Sequence, residues 1–330
     1  MKKILQSLFN HKTLTQQQAY DVLLSISKGV YTEYEVTAFI TVFLMRSITI
    51  EELQGFRDAL LELCIPIHFE NAETIDIVGT GGDGKNTFNI STLACFIVAG
   101  TGHKVTKHGN YGASSISGSS NVMEQLGYTF TNDNVILQQQ LNHANICFLH
   151  APLFHPALKT VAPIRKSLGV RTFFNMLGPL VNPAKPTYQL IGVFNNEMAR
   201  IYNYLLQQTD KAFTIIHSVD GYDEISLTND TKVITQNGEQ ILTPEYLGKR
   251  TVTPSDIFGG NTTEEAAKIF TQIIQGNGTW AQNAVVLSNA AMALQCTGKY
   301  TNYNQAFEAA IQSLESGKAN ECLQKLVAIK

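Results

Sequence analysis

The architecture of this chain can be read outward from Asp76-Ile77-Val78-Gly79-Thr80-Gly81-Gly82-Asp83-Gly84-Lys85-Asn86-Thr87-Phe88-Asn89-Ile90-Ser91-Thr92. Ile77 and Val78 end an extended, β-branched run that begins at Thr74. An apolar, helix-like run opens near Ile90 and continues to Ala99. Between them stand four glycines in six residues, Gly79 to Gly84. Without side chains in the way, their backbone N–H groups can come close to a ligand. The helix start beyond adds unpaired N–H groups and the positive end of its dipole. That combination suits an anion, phosphate above all.

Two nucleotide motifs are nearly satisfied here. Gly79, Gly81 and Gly84 match GxGxxG. A dinucleotide fold, however, needs a helix opening on those glycines and an acid roughly 20 residues later for the ribose. The helix here opens later, and the next strand ends in Lys107-His108. Gly79 to Lys85 also fits GxxxxGK, but Asn86 stands where a P-loop has its Mg²⁺-binding Ser or Thr. Asp83 inside the loop would oppose a triphosphate unless a metal intervened. A plain strand-to-helix turn explains one or two glycines, but not four followed by a Ser-Thr helix start.

Beyond the loop, strand-like runs (74–78, 103–106, 145–149, 189–193, 212–217) alternate with helical ones (90–99, 121–127, 135–143, 156–168, 197–208). This alternation predicts an α/β fold, a mainly parallel central sheet flanked by helices. Ligands in such sheets lie beyond the carboxyl ends of the strands. Residues 231–241 read as a hairpin with Asn237-Gly238 as its turn. The tail, 264–274 and 281–294 onward, is helical. Residues 1–70 differ in kind. Three capping boxes, Thr15 with Gln18, Thr32 with Glu35 and Thr49 with Glu52, open helices of 11–15 residues. They predict a small all-helical N-terminal domain, which a helical segment near 160–185 is expected to join. Such a bundle is marginal alone, so its apolar stripe should pack on the larger domain or on a second subunit.

Composition bounds the function. The chain has 330 residues, 44% hydrophobic and 15% charged, enough to bury a sizeable core. A net charge of −3 argues against a nucleic-acid surface. The start Met1-Lys2-Lys3 has no sustained apolar stretch behind it, and no apolar run is long enough to span a membrane. The five cysteines are scattered, with no CxxC pair. They read as reduced thiols, which points to the cytoplasm.

Three further segments accompany the glycine loop. They are Lys107-His108-Gly109-Asn110-Tyr111-Gly112-Ala113-Ser114-Ser115-Ile116-Ser117-Gly118-Ser119, Asp220-Gly221-Tyr222-Asp223-Glu224-Ile225-Ser226, and His155-Pro156 onward through Arg165 to Asn182-Pro183. Taken alone, the first is a flexible Ser/Gly loop, the second a solvated acidic turn and the third a helix with surface basic residues. Together, and in this order, they resemble the GTGGD…TFNIST, KHGN and DEIS segments of the anthranilate phosphoribosyltransferases. These enzymes share a fold class with pyrimidine nucleoside phosphorylases.

The resemblance implies a Mg²⁺-dependent transferase joining anthranilate to phosphoribosyl diphosphate, a step of tryptophan biosynthesis, in a homodimer. Residues 71–330 would form the domain that binds phosphoribosyl diphosphate. That substrate would meet Gly79, Gly82, Asp83, Thr87, Asn89, Ile90, Ser91, Thr92, Lys107, Ser114, Ser115 and Ser119. Anthranilate would meet Gly79, His108, Asn110 and Arg165, with the Arg165 guanidinium gripping its carboxylate. Ser91, Asp223 and Glu224 would hold one or two Mg²⁺ ions per subunit. Lys107, Asn110 and Arg165 would serve the reaction directly.

One stretch departs from the family. After KHGN it usually has Arg, then Lys and Asp, where this chain has Tyr111, Ile116 and Asn121. Either the electrostatics near the ribose phosphate are altered or the aromatic acceptor differs. A nucleoside phosphorylase would need no acidic metal pair. A nucleic-acid-binding relative should be strongly basic, unlike this chain.

Overall fold

A computed structural model describes residues 1–70, 72–112 and 116–330. The chain divides into two compact units. One comprises Met1–Ile67 with Ala151–Lys185, the other His68–His150 with Pro186–Lys330. Ser114 and Ser115 lie outside the described residues.

The first unit is helical. Helices Gln16–Ser27, Glu33–Met45 and Ile50–Leu63 open on Thr15, Thr32 and Thr49, each with both halves of its capping box formed. A further helix, Lys2–Phe9, precedes them. Its N-cap is Met1 and makes no side-chain cap, so it carries no capping signature to read. The expected single helix over 156–168 is instead a 3₁₀ turn, Pro156–Lys159, followed by a separate helix, Ala162–Leu168. Pro163 falls in the first turn of that helix. Proline is tolerated there, but inside a continuous helix it would remove a hydrogen bond and clash with the preceding turn. Phe173 joins the later segment to the earlier helices. It stacks on Phe56 at 4.5 Å between ring centroids and meets Phe39 and Phe43 edge-on at 6.3 and 5.0 Å.

Glu52 anchors this unit from inside. Its side chain is fully buried and paired with Arg46, whose guanidinium donates to both carboxylate oxygens at 2.8 and 2.5 Å. The same oxygens accept the N–H groups of Leu14 and Thr49, at 2.9 and 3.0 Å. Burial raises the Glu52 pKa, but the Arg46 bond and these two N–H groups outweigh it, leaving the carboxyl below its ordinary range. The capping-box residue of one helix thus also ties down the start of the neighbouring one.

The second unit is built on a seven-stranded sheet in the order β3-β2-β1-β4-β5-β6-β7. The strands are β1 (Thr74–Gly79), β2 (Lys104–Gly109), β3 (Ile146–His150), β4 (Tyr188–Gly192), β5 (Ala212–Ser218), β6 (Thr231–Thr235) and β7 (Gly238–Leu242). Neighbours from β3 through to β5 are parallel, and β6 and β7 add an antiparallel hairpin. In that hairpin Thr235 pairs with Gly238, so the turn residues are Gln236 and Asn237, one position earlier than expected. The core combines strand residues such as Ile75, Ile77, Phe148 and Leu190 with helix residues such as Leu93, Phe96, Phe270 and Val286. The parallel strands are buried along nearly their whole length, polar residues such as Asp76, Thr106 and Lys107 included.

The topology places a crevice. β1 pairs with β2 on one side and β4 on the other, so successive crossovers leave β1 in opposite directions. The sheet opens there, beyond the carboxyl ends of β1 and β4, and ligands settle at such switch points. Among the described residues no helix is long and apolar enough to cross a membrane.

Glu52→Ala strips Arg46 of its buried partner and leaves two N–H groups unpaired. It is expected to lower the unfolding free energy by about 3–5 kcal/mol, measured by urea denaturation at neutral pH. A loss below about 1 kcal/mol would mean that this cluster is solvated rather than buried.

Candidate active site

The carboxyl ends of β1 and β4 bring Gly79 and Gly192 side by side in register. Against both lies Asp223. A Cβ on Gly79 would strike its carboxylate, and one on Gly192 would occupy the place of its backbone carbonyl. These two glycines therefore serve close approach. The conformational demand falls on Gly81, Gly82 and Gly84, all at positive φ, 63°, 75° and 73°. Gly81 N–H then donates to Asp223 Oδ2 at 2.7 Å, and Thr80 N–H to the Gly192 carbonyl at 2.9 Å.

The loop closes on itself as it leaves the sheet. Asp83 Oδ1 accepts Lys85 N–H at 3.0 Å. The Lys85 ammonium sits 4.5 Å from the centre of the Tyr222 ring. The helix opens only at Ile90, and its N-cap Asn89 caps nothing, its amide donating instead to the Ser117 carbonyl at 2.9 Å. Neither nucleotide motif survives this geometry, because neither the glycines nor Lys85 stand at the helix start.

The acidic turn follows β5. Ser218 Oγ donates to the Glu224 carbonyl at 2.6 Å, and Ser218 N–H to the Tyr222 carbonyl at 3.1 Å. Asn289, from helix Trp280–Cys296, brackets Ile225 by accepting its N–H and donating to its carbonyl, at 3.0 and 2.9 Å. Held this way, Glu224 accepts Thr87 Oγ1–H and Ser91 N–H, both at 3.3 Å. Thus Gly79, Gly82, Asp83, Thr87, Asn89, Ile90, Ser91, Thr92, Asp223 and Glu224 belong to one end of the sheet.

Both acids are buried. Burial raises the Asp223 carboxyl above its ordinary range, with the Asp83 charge adding to it and the Gly81 N–H opposing. Burial also raises Glu224, followed by the charges of Asp223 and Asp83. Three carboxylates crowd a poorly solvated place, a situation a cation would relieve. Among the described residues no group of three or more His, Cys, Asp or Glu side chains is arranged to hold a metal. The carboxylates' hard oxygen donors are of the kind that Mg²⁺ takes.

β2 delivers the third element. Lys107 is buried and its ammonium donates to the Ile77 carbonyl of β1 at 2.7 Å. His108 N–H donates to Asp76 Oδ1 at 3.2 Å. Asn110 is exposed, and its carbonyl accepts Ser119 Oγ–H and Ser120 N–H at 3.2 and 3.1 Å. The unusual residues after it engage one another's surroundings. Tyr111 donates to Glu124 at 2.7 Å and meets the His150 ring edge-on at 5.0 Å. Asn121 Oδ1 accepts the N–H groups of Gly112 and Gly118, each at 3.0 Å, pinning both ends of the loop. Ile116 is exposed.

Arg165 belongs to the helical unit, on helix Ala162–Leu168. Its guanidinium lies 5.4 Å from the centre of the Phe174 ring and donates to Asn175 Oδ1 at 3.4 Å. Burial lowers its pKa. Within this unit no carboxylate is paired with it among the described residues. Sequence reading did not single out Gly192, Ser218 or Asn289. Only the pairing of β4 with β1 reveals Gly192, and Ser218 and Asn289 carry no motif.

This arrangement matches a known class of protein. Residues 71–320 match the α/β domain of the glycosyl transferase family and residues 2–64 its helical bundle domain. Anthranilate phosphoribosyltransferase of Flavobacterium johnsoniae is 59% identical over 326 residues, covering 99% of this chain and 98% of that protein. The crystal structure of anthranilate phosphoribosyltransferase from Thermus thermophilus is 31% identical, with a TM-score of 0.91 over 98% of each chain. A solved structure of anthranilate phosphoribosyltransferase from Saccharomyces cerevisiae in complex with PRPP and Mg is 26% identical, with a TM-score of 0.90 over 98% of this chain and 95% of that one. The chain belongs to the anthranilate phosphoribosyltransferase family.

Gly192→Ala must displace the Asp223 backbone. It is expected to cost about 1–3 kcal/mol of stability in urea denaturation, as overpacking of a tight contact does. An unchanged midpoint would show that the acidic turn does not bear on β4.

Proposed function

We propose that the protein transfers the 5-phosphoribosyl group from phosphoribosyl diphosphate to anthranilate, giving N-(5-phosphoribosyl)anthranilate and diphosphate in tryptophan biosynthesis. The observation that carries this reading is the meeting of the glycine loop with Asp223 and Glu224 at the β1–β4 switch point. Glycine-loop backbone stands there beside two buried acids that crowd one another.

In this reading the glycine loop from Gly79 to Asp83 and the helix start at Asn89–Thr92 hold the diphosphate, while the Thr80, Gly81 and Ser91 N–H groups, bonded to Gly192, Asp223 and Glu224, fix the shape of that cradle. Thr87 and Ser119 add hydroxyl donors, as do Ser114 and Ser115. Lys107 supplies a positive charge behind the loop. Ser91, Asp223 and Glu224 hold Mg²⁺, which when bound neutralises charge on the diphosphate and favours its departure. The bond from the ribosyl anomeric carbon to the leaving oxygen breaks through an oxocarbenium-like state. Donors held in place by the loop need little reorganisation as charge develops on the leaving group.

Arg165 binds the anthranilate carboxylate, and its planar fork selects an acid beside the amine. His108 and Asn110 contact the same substrate. An aromatic amine is neutral at pH 7 and presents its lone pair unaided. The chain's task is then to hold it in line with the anomeric carbon; the N–C bond forms as diphosphate leaves, the nitrogen then releases one proton to water, and no strong base is required. The enzyme works in the cytoplasm as a homodimer formed through its helical unit.

Loss of anthranilate fluorescence on adding phosphoribosyl diphosphate, present with Mg²⁺ and abolished by chelation, is the expected outcome. Folded enzyme without turnover would sink the reading. Arg165→Ala is expected to raise the anthranilate KM roughly 10- to 100-fold with a smaller effect on the phosphoribosyl diphosphate KM, the loss of a charge-assisted bond. Asp223→Asn with Glu224→Gln should move the Mg²⁺ titration to higher concentration, and an unaltered titration would remove both acids from metal binding.

A further inference from the structure

The glycine loop has a second fastening, beyond its bonds to the acids. Residues 86–88 run beside residues 257–260 as an isolated antiparallel pairing, with Thr87 bridged to Phe258. Phe88 N–H donates to the Ile257 carbonyl at 3.1 Å, and Gly259 N–H to the Asn86 carbonyl at 2.8 Å. The Asn86 side-chain amide extends the ladder by donating to the Gly260 carbonyl at 2.8 Å. A Cβ on Gly259 would strike the Thr87 carbonyl, so only glycine permits this approach.

The strap is itself moored at both ends. Val252 N–H donates to the Leu227 carbonyl at 3.0 Å, just past the acidic turn. A 3₁₀ turn, Pro254–Ile257, stiffens its middle. Beyond Gly260, Asn261 N–H is held by Glu265 Oε2 at 2.7 Å, at the start of helix Thr263–Ile274. One end therefore follows the segment that carries Asp223 and Glu224, while the middle grips the loop that faces them. Thr87 stands between, its backbone on the strap and its hydroxyl on Glu224.

We propose that residues 252–260 are a positioning strap for the diphosphate-binding stretch 87–91, with Asn86, just before that stretch, and Gly259 as the positioning residues. The proposal rests on the phosphoribosyl transfer reading for the identity of the anion. Neither residue touches substrate. Each acts by fixing where the Thr87 hydroxyl and the Ser91 N–H point. It also accounts for Asn86 in the motif, since a Ser or Thr there could not span to the Gly260 carbonyl as the longer amide does. Phe258 is 42% exposed although it lies within the strap, which places the holding power in the backbone and not in its ring.

The test compares wild type with Asn86→Ala and Gly259→Ala, as full-length enzyme. Three quantities are measured: the separate KM values for the two substrates, binding of inorganic diphosphate with Mg²⁺ by calorimetry, and the urea midpoint. For both variants the phosphoribosyl diphosphate KM and the diphosphate Kd should rise about tenfold, the scale of one lost bond plus loop slackening. The anthranilate KM should stay within about twofold. Equal rises in both KM values, or no change in diphosphate binding by a folded variant, would overturn the strap. If Gly259→Ala fails to fold, Asn86→Ala, which removes only an amide, decides alone. Wild type that binds diphosphate but leaves anthranilate untouched would refute the acceptor and not the strap, because the calorimetric comparison still stands.

Discussion

The close approach of two glycines at the ends of adjacent parallel strands governs this site. Gly79 and Gly192 stand side by side where β1 and β4 stop, and the space two Cβ atoms would take is filled by Asp223. From that contact the other relations follow in order. Asp223 receives the Gly81 N–H, which sets the first turn of the loop. Glu224, the next residue, receives Thr87 and Ser91, which sets the loop's far end and the helix entry. A side chain on either strand end would push the acidic turn away and detach the loop from its partner. The glycines thus divide into two physical kinds, those that allow positive φ and those that allow contact.

Burying two neighbouring carboxylates costs stability, and the structure shows how that cost is offset. Ser218 and Asn289 hold the backbone of the turn through both its N–H and carbonyl groups, so the acids cannot swing out to water. The acids answer by favouring their protonated forms, the response expected of like charges in a poorly solvated place. Such strain is retained where a bound partner relieves it. Lys107 shows the same economy on the opposite side of β1. Among the described residues its ammonium donates to one backbone carbonyl, a weak partner for a full charge.

Around Asn110 the residues that stand in place of the family's charged ones make neutral hydrogen bonds. Tyr111 and Asn121 use neutral hydrogen bonds, one to Glu124 and the other to two backbone N–H groups at the ends of the loop. An asparagine oxygen accepts those N–H groups without needing a cation nearby. Among the described residues, Tyr111 and Asn121 therefore have partners of their own without the usual Arg and Asp, while Ile116 is exposed.

What the amino-acid sequence determined by itself was local. Capping boxes, apolar periodicity and the glycine turn depend on residues within a few positions of one another. They marked three of the N-terminal helices, the five parallel strands and the helix opening at Ile90. Even the misreadings were local ones, a proline that starts a helix rather than riding inside it and a hairpin turn displaced by one residue. Motif order also carried the family. The tertiary structure alone decided what depends on register between distant strands. It set Gly192 beside Gly79, Asn289 under the acidic turn and Gly259 against Thr87, contacts between residues more than 60 positions apart. Nothing in the local chemistry of a lone Gly or Asn announces such a contact. Its meaning lies in the absence of a Cβ, or the reach of an amide, at a point fixed only when the sheet has formed.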